Sequence, residues 1–178
     1  MSVASFCVLV ALAAGQAVAQ PADVAAIQAR EARNADARTL AALERFRTAL
    51  VARFGGDPRL TMLEISESEG EALVVRASGP PEHAIWQGGR WVGTDGRQLK
   101  PWASLAVAAT HAFALSSVKA EPIRAWLDAW RKVPGQATDF VTGYAIGYEP
   151  ARSRIAIRAT VGSMTTGRLS QQTFDAGK

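Results

Sequence analysis

The stretch FVTGYAIGYEPARSRIAIRATV, residues 140–161, holds two runs of alternating side-chain character joined at Glu149-Pro150. A period of two is the pattern of a strand with one buried face, and the proline marks a turn, so the stretch is expected to form a β-hairpin. Phe140, Tyr144, Ile146 and Tyr148 then share one face of the first strand, and Ile155, Ile157, Ala159 and Val161 share one face of the second. Just upstream, Ile123, Trp126, Leu127 and Trp130 recur at helical spacing. Glu121-Pro122 opens that helix favourably and Pro134-Gly135 closes it. A last strand is expected over residues 168–174.

An earlier part of the chain carries the same order of signals. Leu40, Leu43, Phe46, Leu50 and Phe54 form the stripe of an amphipathic helix that ends at Gly55-Gly56. Two antiparallel strands are expected next. One covers residues 60–66, with Leu63 and Ile65 sharing a face with Thr61; the other covers residues 71–78, with Leu73, Val75 and Ala77 on one face. Gly79-Pro80-Pro81 ends that pair. His83 to Trp86 and Arg90 to Val92 then flank Gln87-Gly88-Gly89, whose double glycine supplies the positive φ values of a tight hairpin and sets Trp86 near Trp91.

The helix positions of the two parts match at an offset of eighty, Leu43 with Ile123, Phe46 with Trp126 and Leu50 with Trp130. The first strands match at eighty-one, Thr61 with Thr142, Leu63 with Tyr144 and Ile65 with Ile146. The second strands are matched at eighty-two, Leu73, Val75 and Ala77 against Ile155, Ile157 and Ala159, and Trp86 falls against Phe174. Each drift is a change of loop length. The expected fold is therefore α+β: two αβββ repeats, each a helix packed on an antiparallel meander, joined at their edges or stacked. Helix and strand periods also produce such likeness by physics alone.

A helix followed by an antiparallel meander, twice over in an exported chain, resembles the tandem PepSY-like periplasmic proteins. The likeness covers roughly residues 38–91 and 121–174. It implies a non-catalytic module that binds or restrains another protein. The aspartate-rich strand end typical of PepSY is replaced here by Gln87-Gly88-Gly89 and Asp175-Ala176-Gly177.

The first nineteen residues carry no charged side chain, hold an apolar run from Phe6 to Ala14, and end in Ala17-Val18-Ala19. That is the form of a cleavable secretory signal, and it places the product in the periplasm or outside the cell. Cys7, the single cysteine, would leave with the signal, so the exported chain is expected to rely on packing without a disulfide. The organisation expected is a signal at 1–19, an Ala- and charge-rich lead-in at 20–37, a first unit at 38–102, an apolar connecting segment at 103–120, and a second unit at 121–178. The segment ASLAVAATHAFA suits a buried helix or a crossing over the core and is too short to span a bilayer, so no stable membrane span is expected after cleavage. Net charge is +4, with sixteen of twenty basic residues Arg and these spread along the chain. Nucleic-acid binding calls for a clustered patch and is not expected.

No motif fixes a reaction, and the chain is expected to be non-enzymatic and to need no cofactor. Ser116-Ser117-Val118-Lys119 has the Ser-x-x-Lys form of penicillin-binding enzymes without its companion motifs. His83 and His111 lack the spacing of metal ligands and are expected to be partly buried polar residues with hydrogen-bond partners. Asp95, Asp128 and Asp139 form a carboxylate pair only if tertiary structure brings two of them together. The remaining cluster is Trp86, Arg90, Trp91, Arg97 and Trp102, with Lys100. Aromatic and Arg side chains carry binding energy at protein interfaces; large aromatics also pack in cores, and these tryptophans suit either role. The expected function is a protein-binding or inhibitory module of the cell envelope. The alternative is a small-molecule binder or small hydrolase with its pocket between the two repeats.

Overall fold

The computed structural model describes residues 21–78, 81–93, 110–149 and 153–175. The expected signal at 1–19, the greater part of the apolar segment, Arg97, Lys100 and Trp102 lie outside the described residues. A helix α1 (Pro21–Phe54) is followed by strands β1 (Arg59–Ser66), β2 (Glu69–Val74), β3 (Glu82–Gln87), β4 (Arg90–Val92) and β5 (Phe113–Ala114). After one 3-10 turn at Leu115–Ser117 come α2 (Ala120–Trp130), β6 (Asp139–Glu149), β7 (Arg154–Ser163) and β8 (Leu169–Asp175). The fold is α+β. No described helix is long and apolar enough to cross a membrane.

All the described strands join one antiparallel sheet in the order β4-β3-β2-β1-β6-β7-β8, with β5 pairing the start of β1. β1 and β6 pair edge to edge at the middle of the sheet, Leu63 opposite Ile146 and Ile65 opposite Tyr144. Both helices lie on one face of this sheet. Leu43, Phe46 and Leu50 of α1 and Ile123 and Leu127 of α2 share a single buried cluster with Leu63, Ile65, Tyr144, Ile146 and Ala159.

Residues 20–37 were expected as a helical or frayed lead-in with little face to bury. Pro21–Phe54 forms one continuous helix, and its face is buried after all: Ala32, Ala35, Asp36 and Thr39 lie on the line that continues through Leu40 and Leu43. Small side chains let the helix lie close to the sheet, so burial there needs no large apolar residue. At the other end Phe46 stands over Gly70, where an added Cβ would sit 2.5 Å from the ring. Glycine in the strand admits the ring. The Gly88-Gly89 turn has the two positive φ values expected of it, +56° and +82°.

Two strand readings are corrected by the register. β2 runs from Glu69 to Val74, shorter and earlier than residues 71–78, because Glu67-Ser68 makes a tighter turn than expected. Ala72 and Val74 face the helices, Leu73 points to the other side beside Met62, and Ala77 is exposed outside the strand. Ala72, opposite Leu63, therefore stands where Ala159 stands opposite Tyr144, which overturns the expected match of Ala77 with Ala159. In β6 a bulge at Thr142 shifts the pairing between Val141 and Gly143. One extra residue reverses which side chains face the core. Val141, 1% exposed, joins Tyr144 in the core cluster, and Phe140, expected there, lies over Gly162 instead. A second bulge, at Thr61 in β1, likewise turns Leu60 inward in its place.

Candidate functional site

The β3–β4 hairpin holds three of the residues read from the sequence as a binding cluster. Trp86 and Trp91 are cross-strand partners, and Arg90 pairs with Gln87 beside the turn. Both tryptophans lie against Phe46, with ring centroids at 6.0 and 6.1 Å, and Trp91 also meets the edge of Phe54 at 6.2 Å. The Arg53 guanidinium lies over Trp91, 4.7 Å from the ring centroid, a cation–π arrangement. Glu82 of β3 fixes that cation: Arg53 Nη2 donates to one carboxylate oxygen at 2.7 Å, and Arg76 Nη2 lies 2.5 Å from the other. Trp86 and Trp91 thus anchor the hairpin to the C-terminal half of α1 and stay half-buried, while Arg90 is exposed. The structure brings these three together. Arg97 and Trp102 lie outside the described residues.

A polar cluster that sequence reading did not single out sits beneath the bulge of β6. A bulge withdraws backbone groups from the ladder, and buried ones need other partners. The Val141 N–H donates to Asp36 Oδ1 at 2.7 Å, and the Thr39 hydroxyl lies 3.2 Å from both the Val141 carbonyl and that of Ala35 in its own helix. Asp36 is 3% exposed and pairs through its second oxygen with Arg131, at the C-terminal cap of α2. A cation is favoured there by the helix dipole. Burial, and then the neighbouring Arg33, lower the Arg131 guanidinium below its usual range, where it stays charged at neutral pH. The adjoining Trp130 donates from Nε1 to Asp139 Oδ2 at 3.2 Å. The signal for Asp36 was its place on the stripe of Ala32, Ala35, Thr39 and Leu40, one turn before Leu40 and two before Leu43.

Tyr144 lies beside this cluster, 1% exposed, its hydroxyl without a hydrogen-bond partner among the described residues. Burial drives its pKa up, opposed in part by Arg131. Removing the oxygen costs no bond, so Tyr144→Phe is expected to hold or raise stability, within about 1 kcal/mol, in urea unfolding at pH 7. The folded pKa lies above the unfolded one. The contribution is thus complete below the unfolded value near 10 and is lost as pH rises from there towards the folded value. Alkaline titration of stability should therefore fall more steeply for the wild type than for Tyr144→Phe. A drop of several kcal/mol in the variant at pH 7 would show a partner for the hydroxyl.

The other sequence candidates fall apart in space. The Ser116 hydroxyl donates to Asp57 Oδ2 at 2.6 Å and its N–H to Oδ1 at 2.8 Å, two bonds that hold the Asp57 carboxyl below its usual range. A groove of about 510 Å³ runs past this pair between α1 and the 3-10 turn, and a neighbouring one of about 690 Å³ reaches the start of α2; Arg47 and Ser116 line both. His83 Nε2 lies 2.8 Å from Glu71 Oε1, the polar partnership expected of it, and His111 stacks on Tyr148. Asp128 is exposed and Asp139 buried, and Asp95 lies outside the described residues. No group of three or more His, Cys, Asp or Glu among the described residues is placed to hold a metal ion. No family model matches this chain, and no curated protein or solved structure matches it either.

Proposed function

We propose that this is an exported, non-enzymatic envelope protein of two αβββ units that binds, and by binding restrains, another protein. The repeat reading has three supports. Bulges occur at Thr61 and at Thr142, residues matched at the offset of eighty-one, and each turns the preceding apolar residue inward. Across the β1–β6 seam Glu64 lies opposite Ala145, its own counterpart, as a two-fold relation requires. Phe46 packs on Trp86 as Trp126 packs on Phe174. Such units joined at their edges fit the non-catalytic module that the PepSY-like resemblance implies, and export rests on the leader at 1–19.

The observation that carries the binding function is the β3–β4 end of the sheet. Arg90 is exposed at the tip, and the half-buried Trp91 is held between Arg53 and two phenylalanines. A preorganised aromatic with flanking Arg side chains loses little entropy on docking. Immobilised protein is expected to capture a specific partner from envelope extract, and Arg90→Glu to weaken that capture by roughly tenfold or more without altering the unfolding midpoint. Equal capture by Arg90→Glu and wild type, or no specific partner at all, would remove this reading. Trp91→Ala is expected to weaken capture as well, and its unfolding curve separates a lost contact from lost packing.

A second reading has its own support in the grooves along α1. They lie between the first helix and the start of α2, where a small-molecule binder or small hydrolase built on two units would place its pocket, and Val51 leaves apolar surface there, 43% exposed. A ligand that raises the unfolding temperature of the wild type and not of Ser116→Ala would favour it.

A further inference from the structure

The described sheet ends in two edges that are built differently. At one end β4 is three residues long and begins with Arg90, the short charged edge by which sheets resist unwanted pairing. At the other end β8, Leu-Ser-Gln-Gln-Thr-Phe-Asp, pairs with β7 from Gly162 to Ala156 without a register shift and contains no Lys, Pro or bulge. Among the described residues no strand pairs with its outer side. Leu169 on this strand is 68% exposed, the highest value among the exposed large apolar side chains. Phe174 stacks on Trp126 with centroids 4.5 Å apart, and both keep part of their surface open beside the edge.

We propose that β8 is a self-association edge: a second copy of this chain adds its own β8 antiparallel about a two-fold axis at Gln172, making one continuous sheet of the two. The strand is complementary to itself in that direction. Arg168 precedes it and Asp175 ends it, so antiparallel pairing sets the basic start of each strand near the acidic end of the other, where parallel pairing sets like beside like. Asp175 keeps its bond to Arg154 of its own chain, at 2.8 Å. With the axis at the midpoint of the strand, Phe174 lies opposite Ser170, a large side chain against a small one, and Gln171 lies opposite Thr173. Such an interface is isologous and closes at two copies. A two-fold axis normal to the sheet keeps the helices of both copies on one side, which brings the two Trp126–Phe174 stacks to the seam. The proposal is independent of the partner bound at the β3–β4 end.

Sedimentation velocity of the purified protein over a range of concentrations is expected to show a species of twice the monomer mass that grows with concentration. Gln172→Glu and Gln172→Lys each place like charges opposite one another across the axis, and each should give monomer only. Mixing the two variants should restore the doubled species, since unlike charges then face each other. Far-UV circular dichroism shows that each variant is folded. Hydrogen exchange supplies a second readout: the β8 amides on the outer side should slow as the wild type is concentrated, and the β4 amides should not. A wild type that stays monomeric at every concentration would overturn the proposal, and so would a dimer that persists in both variants.

Discussion

Asp36→Ala is expected to lower the unfolding free energy by roughly 3–5 kcal/mol, a large share of the total for a domain of this size. The carboxylate is 3% exposed and serves two groups at once, the Val141 N–H at 2.7 Å and the Arg131 guanidinium. Alanine leaves both without it. An N–H withdrawn from the ladder by the bulge loses its acceptor, and a cation with a side chain 17% exposed is left without its counter-charge. Because Arg131 caps α2 and Val141 belongs to β6, the loss reaches from α1 across to the second half of the sheet. Urea unfolding measures the effect. The double variant Asp36→Ala with Arg131→Met should recover much of it, since removing both charges avoids the unpaired one, and a double-mutant cycle gives the coupling. A single variant within 1 kcal/mol of wild type would mean that water serves these groups, and the cluster would then not join the helices to the bulge.

Phe46→Ala is expected to cost a similar amount, roughly 3–5 kcal/mol, through the cavity it leaves. The ring is fully buried, stands directly over Gly70, and touches both Trp86 and Trp91. No neighbour can fill the space easily, because the hairpin tryptophans are held by Phe54, Arg53 and the Glu82 ion pair. The change should also shift tryptophan fluorescence to longer wavelength as the two indoles gain water. The contact has a steric counterpart at Gly70. An added methyl there would meet the centre of the Phe46 ring, and Gly70→Ala should lose about 1–3 kcal/mol by overpacking. Partial relief of the Gly70→Ala cost in a Phe46→Ala background would tie both losses to the one contact.

Particular residues show what local reading could reach. Leu43, Phe46 and Leu50, and Ile123 with Leu127, were legible as helix stripes because a period of 3.6 with large apolar residues has few competing explanations. The Gly88-Gly89 hairpin was legible because the turn itself demands residues without a Cβ. The inward face of β2 was not. Both alternating sets there are apolar, Ala72 and Val74 against Leu73 and Val75, and a period of two cannot tell which set faces in when each would be content to. Phe140 was assigned to the wrong side for a related reason: the bulge at Thr142 has no local signature, and one inserted residue reverses everything before it.

The candidate site divides in the same way. Trp86, Arg90 and Trp91 were brought together by a local hairpin, so their proximity followed from eight residues of sequence. Their anchoring on Phe46 and Phe54 did not, since that contact joins segments some forty residues apart. Asp36 looked like one more polar residue in an Ala- and charge-rich helix. Its role depends on a strand more than one hundred residues later and on a cation that caps another helix.

By itself the sequence determined the α+β class, the two main helix stripes and the hairpins, all of which arise from interactions between residues near one another in the chain. The tertiary structure alone decided that β1 and β6 join edge to edge, that bulges turn Leu60 and Val141 inward, that a buried aspartate holds two helices to the sheet, and that β8 is the last strand of the sheet among the described residues. Those features depend on which distant groups compete for the same burial and the same backbone hydrogen bonds. That competition is settled only when the whole chain is packed together.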